Sequence, residues 1–357
     1  MVSKLPFDIS VICQVLGLNY GKFYRWIKHH ILDFKEEQTQ FKLHEHDIAK
    51  PGLNRDKRVL VPLLKPEHIG EHMAIDEKHI GGQFYTILTN AKTSKVAMLC
   101  SSIQVADLNF CLAKFTDNLK SIRYITRDLS PTFKKVANLN FPNAEHIADK
   151  FHVIRHAIDA VQTVRNRLKQ EVLKQLREEQ KKHDKNYNDK KNRCFIGPKM
   201  KLSKKYKLKR LSNGETKTEL LTRSRYLCSI SEEKWNDFQR KRAVLLFKTF
   251  PELQKVYDKI MQFRNWYKVK PKEYEPFTNE RDLWTWIYEV ENSEINELAN
   301  FANLVINHES EILNYHKMGN KTNAIAESIN AKINNANLKN NGARDIDFFN
   351  YRLGLIL

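Results

Sequence analysis

Hydrophobic positions between residues 72 and 102 fall into three short runs. The first two, at 73–79 and 83–89, flank Gly81-Gly82, a dipeptide typical of a tight turn between paired strands. The third run, 95–102, follows the turn-like segment 90–94. This pattern predicts a meander of three antiparallel strands.

Helical and strand patterns alternate from residue 105 to residue 149. Spacing typical of a helix is followed by a short strand at 122–126 that ends in Arg127-Asp128. Ser130-Pro131 predicts the start of a second helix, and a strand at 146–148 ends at Asp149. This order of elements predicts a mixed α/β sheet of the ribonuclease H-like class, in which carboxylates gather at the ends of the central strands. The first helix presents Leu108, Cys111, Leu112, Phe115 and Leu119 on one face.

The chain becomes helical after residue 150. Apolar spacing over 151–172 predicts one long amphipathic helix, and helical segments rich in aromatic residues continue over 218–317. Most of these aromatics should be core, although one or two could stack on unpaired bases.

Charge is concentrated in one stretch of this helical region. Residues 165–217 hold 19 Lys and Arg against 6 Asp and Glu, so they supply +13 of the net charge of +19. A charge run is often only a solvated face. Because most of the surplus lies in one segment, a DNA-contacting insertion is the favoured interpretation.

The first 35 residues carry a helix–turn–helix pattern. Apolar spacing over 11–16 predicts one helix, and Gly17-Leu18-Asn19 a turn. A second helix would bury Phe23, Trp26 and Ile27. Its outward residues would then meet DNA as a recognition helix, the alternative being a helical hairpin packed on the main body. These outward residues are Lys22, Arg25 and Lys28.

Composition narrows the class of partner. The chain has 357 residues, with 61 Lys and Arg against 42 Asp and Glu, which favours a polyanion such as nucleic acid. No apolar run approaches the length of a membrane span, and no secretory signal is evident. The five cysteines form no CxxC pair, which favours reduced thiols and a cytoplasmic protein. A nucleic-acid partner would associate it with the nucleoid. The sequence contains no Walker-type phosphate loop, so it does not indicate ATP-driven chemistry.

Three acids in separate contexts are candidates for a metal site. Asp76 and Asp128 lie in or after predicted strands, and Glu327 lies on a helix whose other face carries Ile325, Ile329 and Ile333. Carboxylates suit Mg²⁺ or Mn²⁺, and two such ions support phosphodiester chemistry. We therefore expect these acids to hold two ions in one site. Asn323 and Asn330 share the polar stripe of Glu327 and are expected to support it.

Asp149 and His152 form a second cluster. Together they could ligate metal or organise the edge of the site. The residues themselves favour a hydrogen-bonded pair that fixes the start of the following helix, with Asp149 as its cap.

Four segments resemble bacterial insertion-sequence transposases of the ISL-three family. The likeness runs in order over about residues 70–357, and FPNAEHIADKFHVIRHA is its most specific part. The other three segments are AIDEKHIGGQFYTILTN, TRSRYLCSI and NAIAESINAKI.

The resemblance implies an Asp-Asp-Glu transposase that uses Mg²⁺ or Mn²⁺. By position, Asp76 and Asp128 resemble the two catalytic aspartates and Glu327 the glutamate. Asp149 and His152 match an Asp-x-x-His motif that lies near the active site, which favours a supporting role. The resemblance also implies a helical domain inserted before Glu327. Members commonly begin with a cysteine-bearing zinc ribbon, which this chain lacks, so recognition of DNA ends would fall to other segments or to a separate protein.

These patterns together predict five parts and one activity. The protein is expected to bind the inverted repeats of its element as a homodimer or larger assembly, cleave double-stranded DNA and join it to a target. Alternatives are a metal-dependent nuclease without strand transfer and a transposase-derived DNA-binding regulator. The parts are a helix–turn–helix (1–35), a linker or arm (36–70), the first part of the ribonuclease H-like core (71–164), a basic helical insertion (165–317) and the last part of the core (318–357). The basic residues expected to bind DNA are Lys22, Arg25, Lys28, Arg165, Arg167, Lys204, Lys205, Lys207, Lys209 and Arg210.

Overall fold

The computed structural model of the chain describes residues 9–39, 62–80, 83–193, 206–319, 329, 331–335, 351 and 353. The chain divides into two compact units. The first combines Met1–Val153 with His308–Leu357, and the second is Ile154–Asn307, so the second interrupts the first in sequence. No helix in the described ranges has both the length and the apolar character needed to cross a bilayer.

The first unit contains a six-stranded mixed sheet in the order β1-β4-β3-β2-β5-β6. The strands β2, β3 and β4 form the predicted antiparallel meander, whereas β5 and β6 run parallel to β2. A two-residue strand, β1, lies beside β4 within the region predicted to be a linker. The strand bounds are β1 Leu63–Leu64, β2 His72–Ile80, β3 Gln83–Asn90, β4 Val96–Cys100, β5 Tyr124–Arg127 and β6 Glu145–Ala148.

Both faces of the sheet are covered by apolar side chains. One face packs against helices α3 (Val105–Leu112) and α4 (Pro131–Asn140), with Met73 and Ile75 of β2 in that cluster. The opposite cluster contains Ile80 of β2 together with Ile329 and Ile333 from near the end of the chain. Because successive side chains of a strand point to opposite faces, β2 contributes to both clusters.

Helix α11 (Glu309–Lys317) returns to this unit from late in the sequence and packs against β6, the edge strand. The amide of Asn314 donates to the carbonyl oxygen of His146 at 2.9 Å and to the carboxylate of Glu145 at 3.2 Å. These contacts tie α11 to the edge of the sheet.

Two helices occupy the N-terminal segment, α1 (Ile9–Val15) and α2 (Tyr20–Thr39), joined by a turn in which Gly17 has a φ of 62°. Helix α2 extends into the predicted linker. Ile27 is buried as expected, but the expectation for Trp26 was wrong because half of it is exposed. Its ring lies along the helix surface, where it contacts the rings of Phe23 and His30.

The second unit is helical. Helix α5 (Lys150–Arg193) carries the chain into it as one uninterrupted helix, and its sequence contains neither Gly nor Pro, the two residues that most weaken a helix. The helices that follow are α6 (Lys217–Arg223), α7 (Asp237–Thr249), α8 (Pro251–Trp266), α9 (Pro276–Glu291) and α10 (Asn296–Asn307).

Aromatic side chains form much of the core of this unit. The ring of Phe263 lies 4.9 Å from that of Trp286 and 5.0 Å from that of Phe301, and all three side chains are buried. Phe238 and Trp284 are exceptions, since 66% and 43% of their surfaces are exposed. Most of the aromatics are therefore core, as the pattern predicted.

Candidate active site

The pairing of β2 with β5 brings the two predicted aspartates to one place. Ile75 pairs with Arg127 in parallel register. Asp76 follows Ile75 within β2, and Asp128 follows Arg127 at the end of β5. The sheet therefore carries both at the carboxyl end of the paired segment, a common position for catalytic carboxylates in α/β folds.

The alternation of side chains also selects the face on which Asp76 lies. Ile75 belongs to the cluster beside α3 and α4, so Asp76 points to the other face, as Ile80 does. Ile329 and Ile333 are buried on that same face. This confirms the predicted packing of two of the three isoleucines; Ile325 lies outside the described residues.

Asp128 sits in the turn between β5 and α4 and is held there by hydrogen bonds. Its Oδ1 accepts from the backbone N–H of Ser130 at 2.8 Å. Burial raises the pKa of Asp128 above the usual range, and the charge of Asp76 raises it further. The Ser130 N–H and the charges of His152 and Arg127 act in the opposite direction. The charge of Asp76 is thus close enough to disfavour the ionised form of Asp128.

Asp149 follows β6 and adds a third carboxylate at the same sheet edge. Its backbone N–H donates to the carbonyl oxygen of Arg127 at 2.8 Å, and its Oδ1 accepts from the N–H of Phe151 at 3.1 Å. Asp149 thus satisfies a free donor at the start of α5, as the cap interpretation predicts.

His152 lies between two of these carboxylates. Its Nε2 is 3.7 Å from Oδ2 of Asp149 and 3.9 Å from Oδ1 of Asp76. Its side chain is 25% exposed, whereas that of Asp76 is 14% exposed. The structure therefore places the imidazole beside a predicted catalytic carboxylate as well as beside its helix cap.

The donor set suits a hard divalent cation. Asp76 and Asp128 offer carboxylate oxygens. A bound cation would offset both the burial and the charge of Asp76 that raise the pKa of Asp128. Among the described residues, no group of three or more His, Cys, Asp or Glu side chains could by itself hold a metal ion. The third predicted ligand, Glu327, lies outside the described residues, as do Asn323 and Asn330.

Sequence reasoning did not identify Arg127 or Glu311 as part of this region. Arg127 is completely buried, and its Nη2 donates to Oε1 of Glu311 at 2.6 Å. Its Nη1 donates to the carbonyl oxygen of Asp128 at 2.9 Å. The only signal in the sequence was an arginine at the end of an otherwise apolar strand.

The basic residues expected to bind DNA fall into three groups. Lys22, Arg25 and Lys28 are exposed on α2, and three more are exposed after residue 206. Those three are Lys207, Lys209 and Arg210. Lys204 and Lys205 lie outside the described residues.

Arg165 and Arg167 form the third group, and their contacts are internal to the second unit. Arg165 is 5% exposed, and its Nη1 donates to the carbonyl oxygen of Leu221 at 2.8 Å. Arg167 pairs with Glu297 at 2.7 Å and also with Glu252. Both guanidinium groups are therefore bonded within the second unit, and a contact with DNA stays a prediction for these two residues.

Exposed cations instead follow one face further along α5. Lys174, Arg177, Lys181 and Lys185 are all exposed, and their spacing of three, four and four residues aligns them on one side of the helix. Among the described residues, none of the four makes an ion pair or a hydrogen bond. We call these four residues the α5 basic stripe.

Two comparisons with known proteins bear on this site. A family model described as a transposase, that of the ISL-three group of DDE transposases, matches residues 73–353. No curated protein matches the chain in sequence. The matched range begins in β2, before Asp76, and extends past Glu327.

Proposed function

Because the chain belongs to the ISL-three family of transposases, we propose that it cleaves the ends of its element and joins them to target DNA at the site of Asp76 and Asp128. The observation that carries this proposal is the pairing of Ile75 with Arg127, which sets the two aspartates side by side. The six-stranded mixed sheet supports a ribonuclease H-like core, and Ile154–Asn307 would be its inserted domain.

The proposed ligands of the metal ions are Asp76, Asp128 and Glu327. Two Mg²⁺ ions, when bound, would activate the attacking oxygen and stabilise the leaving oxygen of a phosphodiester. Packing of Ile329 on the Asp76 face supports this assignment, because Glu327 precedes Ile329 by only two positions in the sequence. His152 would orient Asp76, since its Nε2 lies 3.9 Å from that carboxylate.

Two chemical steps would occur at this one site. Water attacks a phosphodiester at the element end, which releases a 3′-hydroxyl and a 5′-phosphate. The 3′-hydroxyl then attacks a target phosphodiester, forming one new phosphodiester and releasing a target 3′-hydroxyl. Each step exchanges one phosphodiester oxygen for another, so no oxidant, reductant or nucleotide is consumed.

DNA would be held by exposed cations rather than by the inner arginines. The α5 basic stripe supports this role, because its side chains have no ion-pair or hydrogen-bond partner within the described ranges and can neutralise phosphates. Lys22, Arg25 and Lys28 on α2 would add contacts to DNA, with Lys207, Lys209 and Arg210 and the predicted residues Lys204 and Lys205. Pairing of two DNA ends would require a homodimer or larger assembly.

The test uses labelled duplexes taken from the DNA that flanks the gene. We expect nicked and joined products with Mg²⁺ or Mn²⁺. The isosteric changes Asp76→Asn, Asp128→Asn and Glu327→Gln should each lower the cleavage rate by at least about a hundredfold while DNA binding persists. Asp159→Asn, at an exposed position on α5, is the matched control and should cleave normally.

Other outcomes would redirect the assignment. Cleavage without joined products would indicate a nuclease, and binding without cleavage in either metal would indicate a regulator. Normal cleavage by Asp128→Asn would show that the catalytic site lies elsewhere.

A further inference from the structure

One carboxylate, that of Glu311, holds both sides of the turn that carries Asp128. On the strand side, Glu311 Oε1 accepts from Arg127 Nη2 at 2.6 Å. On the helix side, the same oxygen lies 3.2 Å from Nζ of Lys134, in α4. Glu311 itself belongs to α11, which arrives from a distant part of the sequence. The strand before the turn and the helix after it are therefore joined at one oxygen atom.

This network reaches Asp128 through its backbone. Arg127 Nη1 donates to the carbonyl oxygen of Asp128 at 2.9 Å. One guanidinium group therefore binds both Glu311 and Asp128. The planar fork of an arginine fixes the directions of these two bonds relative to each other. Movement of Glu311 would therefore rotate the peptide that carries the Asp128 carboxylate.

Burial makes this linkage stiff. Arg127 is fully buried, and the Glu311 side chain is 9% exposed. His308 adds a further contact, with its Nδ1 3.6 Å from the same Glu311 oxygen. Water can reach Lys134, whose side chain is 39% exposed, but it cannot reach Arg127. The buried Arg127–Glu311 bond therefore holds the carboxylate in one arrangement.

We propose that Glu311 is a positioning residue of the active site. Acting through Arg127 and Lys134, it fixes the turn so that the Asp128 carboxylate faces Asp76. This inference rests on the proposed function, in which those two aspartates hold the metal ions.

A role in stability only would not account for the geometry. Buried ion pairs are often replaceable by apolar side chains with little loss of stability, so their retention is weak evidence for a stabilising purpose. Here the arginine also uses a donor on the carbonyl oxygen of Asp128, a contact that orients the backbone. Positioning and stability can therefore be separated by experiment.

The decisive variant is Arg127→Met/Glu311→Leu, which removes both charges and leaves no buried ion unpaired. We expect it to fold, with a thermal midpoint close to that of the wild type, and to bind flanking DNA normally. Its affinity for Mn²⁺ alone, measured by the electron paramagnetic resonance of free Mn²⁺, should fall about 10- to 100-fold. Its single-turnover cleavage rate should fall by a similar factor.

A matched pair in the second unit serves as the control. Arg242 and Glu215 form an equally short ion pair at 2.6 Å that is largely buried, and both residues belong to the second unit, whereas Asp128 belongs to the first. Arg242→Met/Glu215→Leu should leave Mn²⁺ affinity and cleavage unchanged. Glu311→Gln is a second test and should also lower the Mn²⁺ affinity. Arg127→Lys keeps the charge but lacks the planar fork, so its Mn²⁺ affinity should lie between those of the double variant and the wild type.

Several outcomes would overturn the inference. A folded Arg127→Met/Glu311→Leu protein with normal Mn²⁺ affinity and cleavage would reduce the network to a structural contact. If that variant does not fold, normal Mn²⁺ affinity in Glu311→Gln would lead to the same conclusion. Failure of the wild type to bind Mn²⁺ or cleave DNA would instead contradict the proposed function, so the two failures are distinct.

Discussion

The imidazole Nε2 of His152 lies 3.9 Å from Oδ1 of Asp76. The same nitrogen is 3.7 Å from Asp149, the residue that caps α5. One side chain therefore links the start of a helix to a proposed metal ligand on the sheet.

We expect His152→Ala to lower the single-turnover cleavage rate about 10- to 100-fold, because a partner that orients a ligand has effects of this size. DNA affinity should not change. Phe151→Ala is the control, since this neighbour is 56% exposed. Equal cleavage rates for His152→Ala and the wild type would show that His152 does not orient Asp76.

Arg167 is expected to affect stability rather than DNA affinity. It pairs with Glu171 at 3.1 Å as well as with Glu252 and Glu297, and Arg167→Met would leave these carboxylates without their shared partner. Because Arg167 is 36% exposed, the loss should be only about 1 kcal/mol, seen as a lower midpoint in urea. Arg177→Met, at an exposed position on the same helix, should change stability by less than about 0.5 kcal/mol. Similar midpoints for the two variants would contradict this assignment.

The α5 basic stripe should determine the salt dependence of DNA binding. If all four side chains contact phosphates, changing them together to Gln should reduce the slope of log K against log salt by about 3.6, or about 0.9 for each contact. Fluorescence anisotropy between low and moderate salt measures this slope.

A control with the same loss of charge separates contact from net charge. It changes four exposed lysines elsewhere in the second unit to Gln and should leave most of the slope intact. An equal reduction would mean that binding follows net charge and not this face. The four control positions are Lys241, Lys255, Lys268 and Lys272.

Glu311 should make the first unit sensitive to acid. Burial would raise the pKa of Glu311, but the nearby imidazole of His308, hydrogen bonds from its own backbone N–H and Lys134, and the charge of Arg127 lower it to about 2 from 4.5. Because the folded-state pKa is depressed, this stabilisation is complete above about pH 4.5 and is lost as the pH falls towards 2. The loss should approach about 3 kcal/mol.

Urea unfolding at several values between pH 5 and pH 2.5 measures this loss. Arg127→Met/Glu311→Leu should show a correspondingly shallower decline than the wild type. Parallel curves would indicate that Glu311 titrates near its ordinary value.

The sheet was predictable from sequence because its signals are local. Alternating apolar runs and turn residues located β2 to β6 within a few residues. Asp76 was located because it interrupts one run, and Asp128 because it follows another. The two-residue strand β1 could not be found, because so short a pairing depends on β4 and not on its own pattern. The roles of Asp76 and Asp128 as metal ligands stay predictions.

Side-chain burial was predicted less well, since it depends on distant partners. Arg165 and Arg167 were expected to bind DNA because they lie in the basic segment. Their partners within the protein, Leu221 and Glu297, lie far along the chain, so the local sequence gives no sign of these contacts. The Arg127–Glu311 pair joins residues 184 positions apart, and no periodicity could reveal it. Trp26 fitted a helical stripe, yet no described neighbour covers half of its surface.

The contact between Asn314 and His146 has a consequence for synthesis on the ribosome. The two residues are 168 positions apart, so the β6 edge stays open while that length of chain is translated. At about 5–20 residues per second this takes roughly 10–30 s. During that interval the unpaired strand edge can bind another nascent chain. A chain truncated before α11 should therefore aggregate more than the full-length chain does.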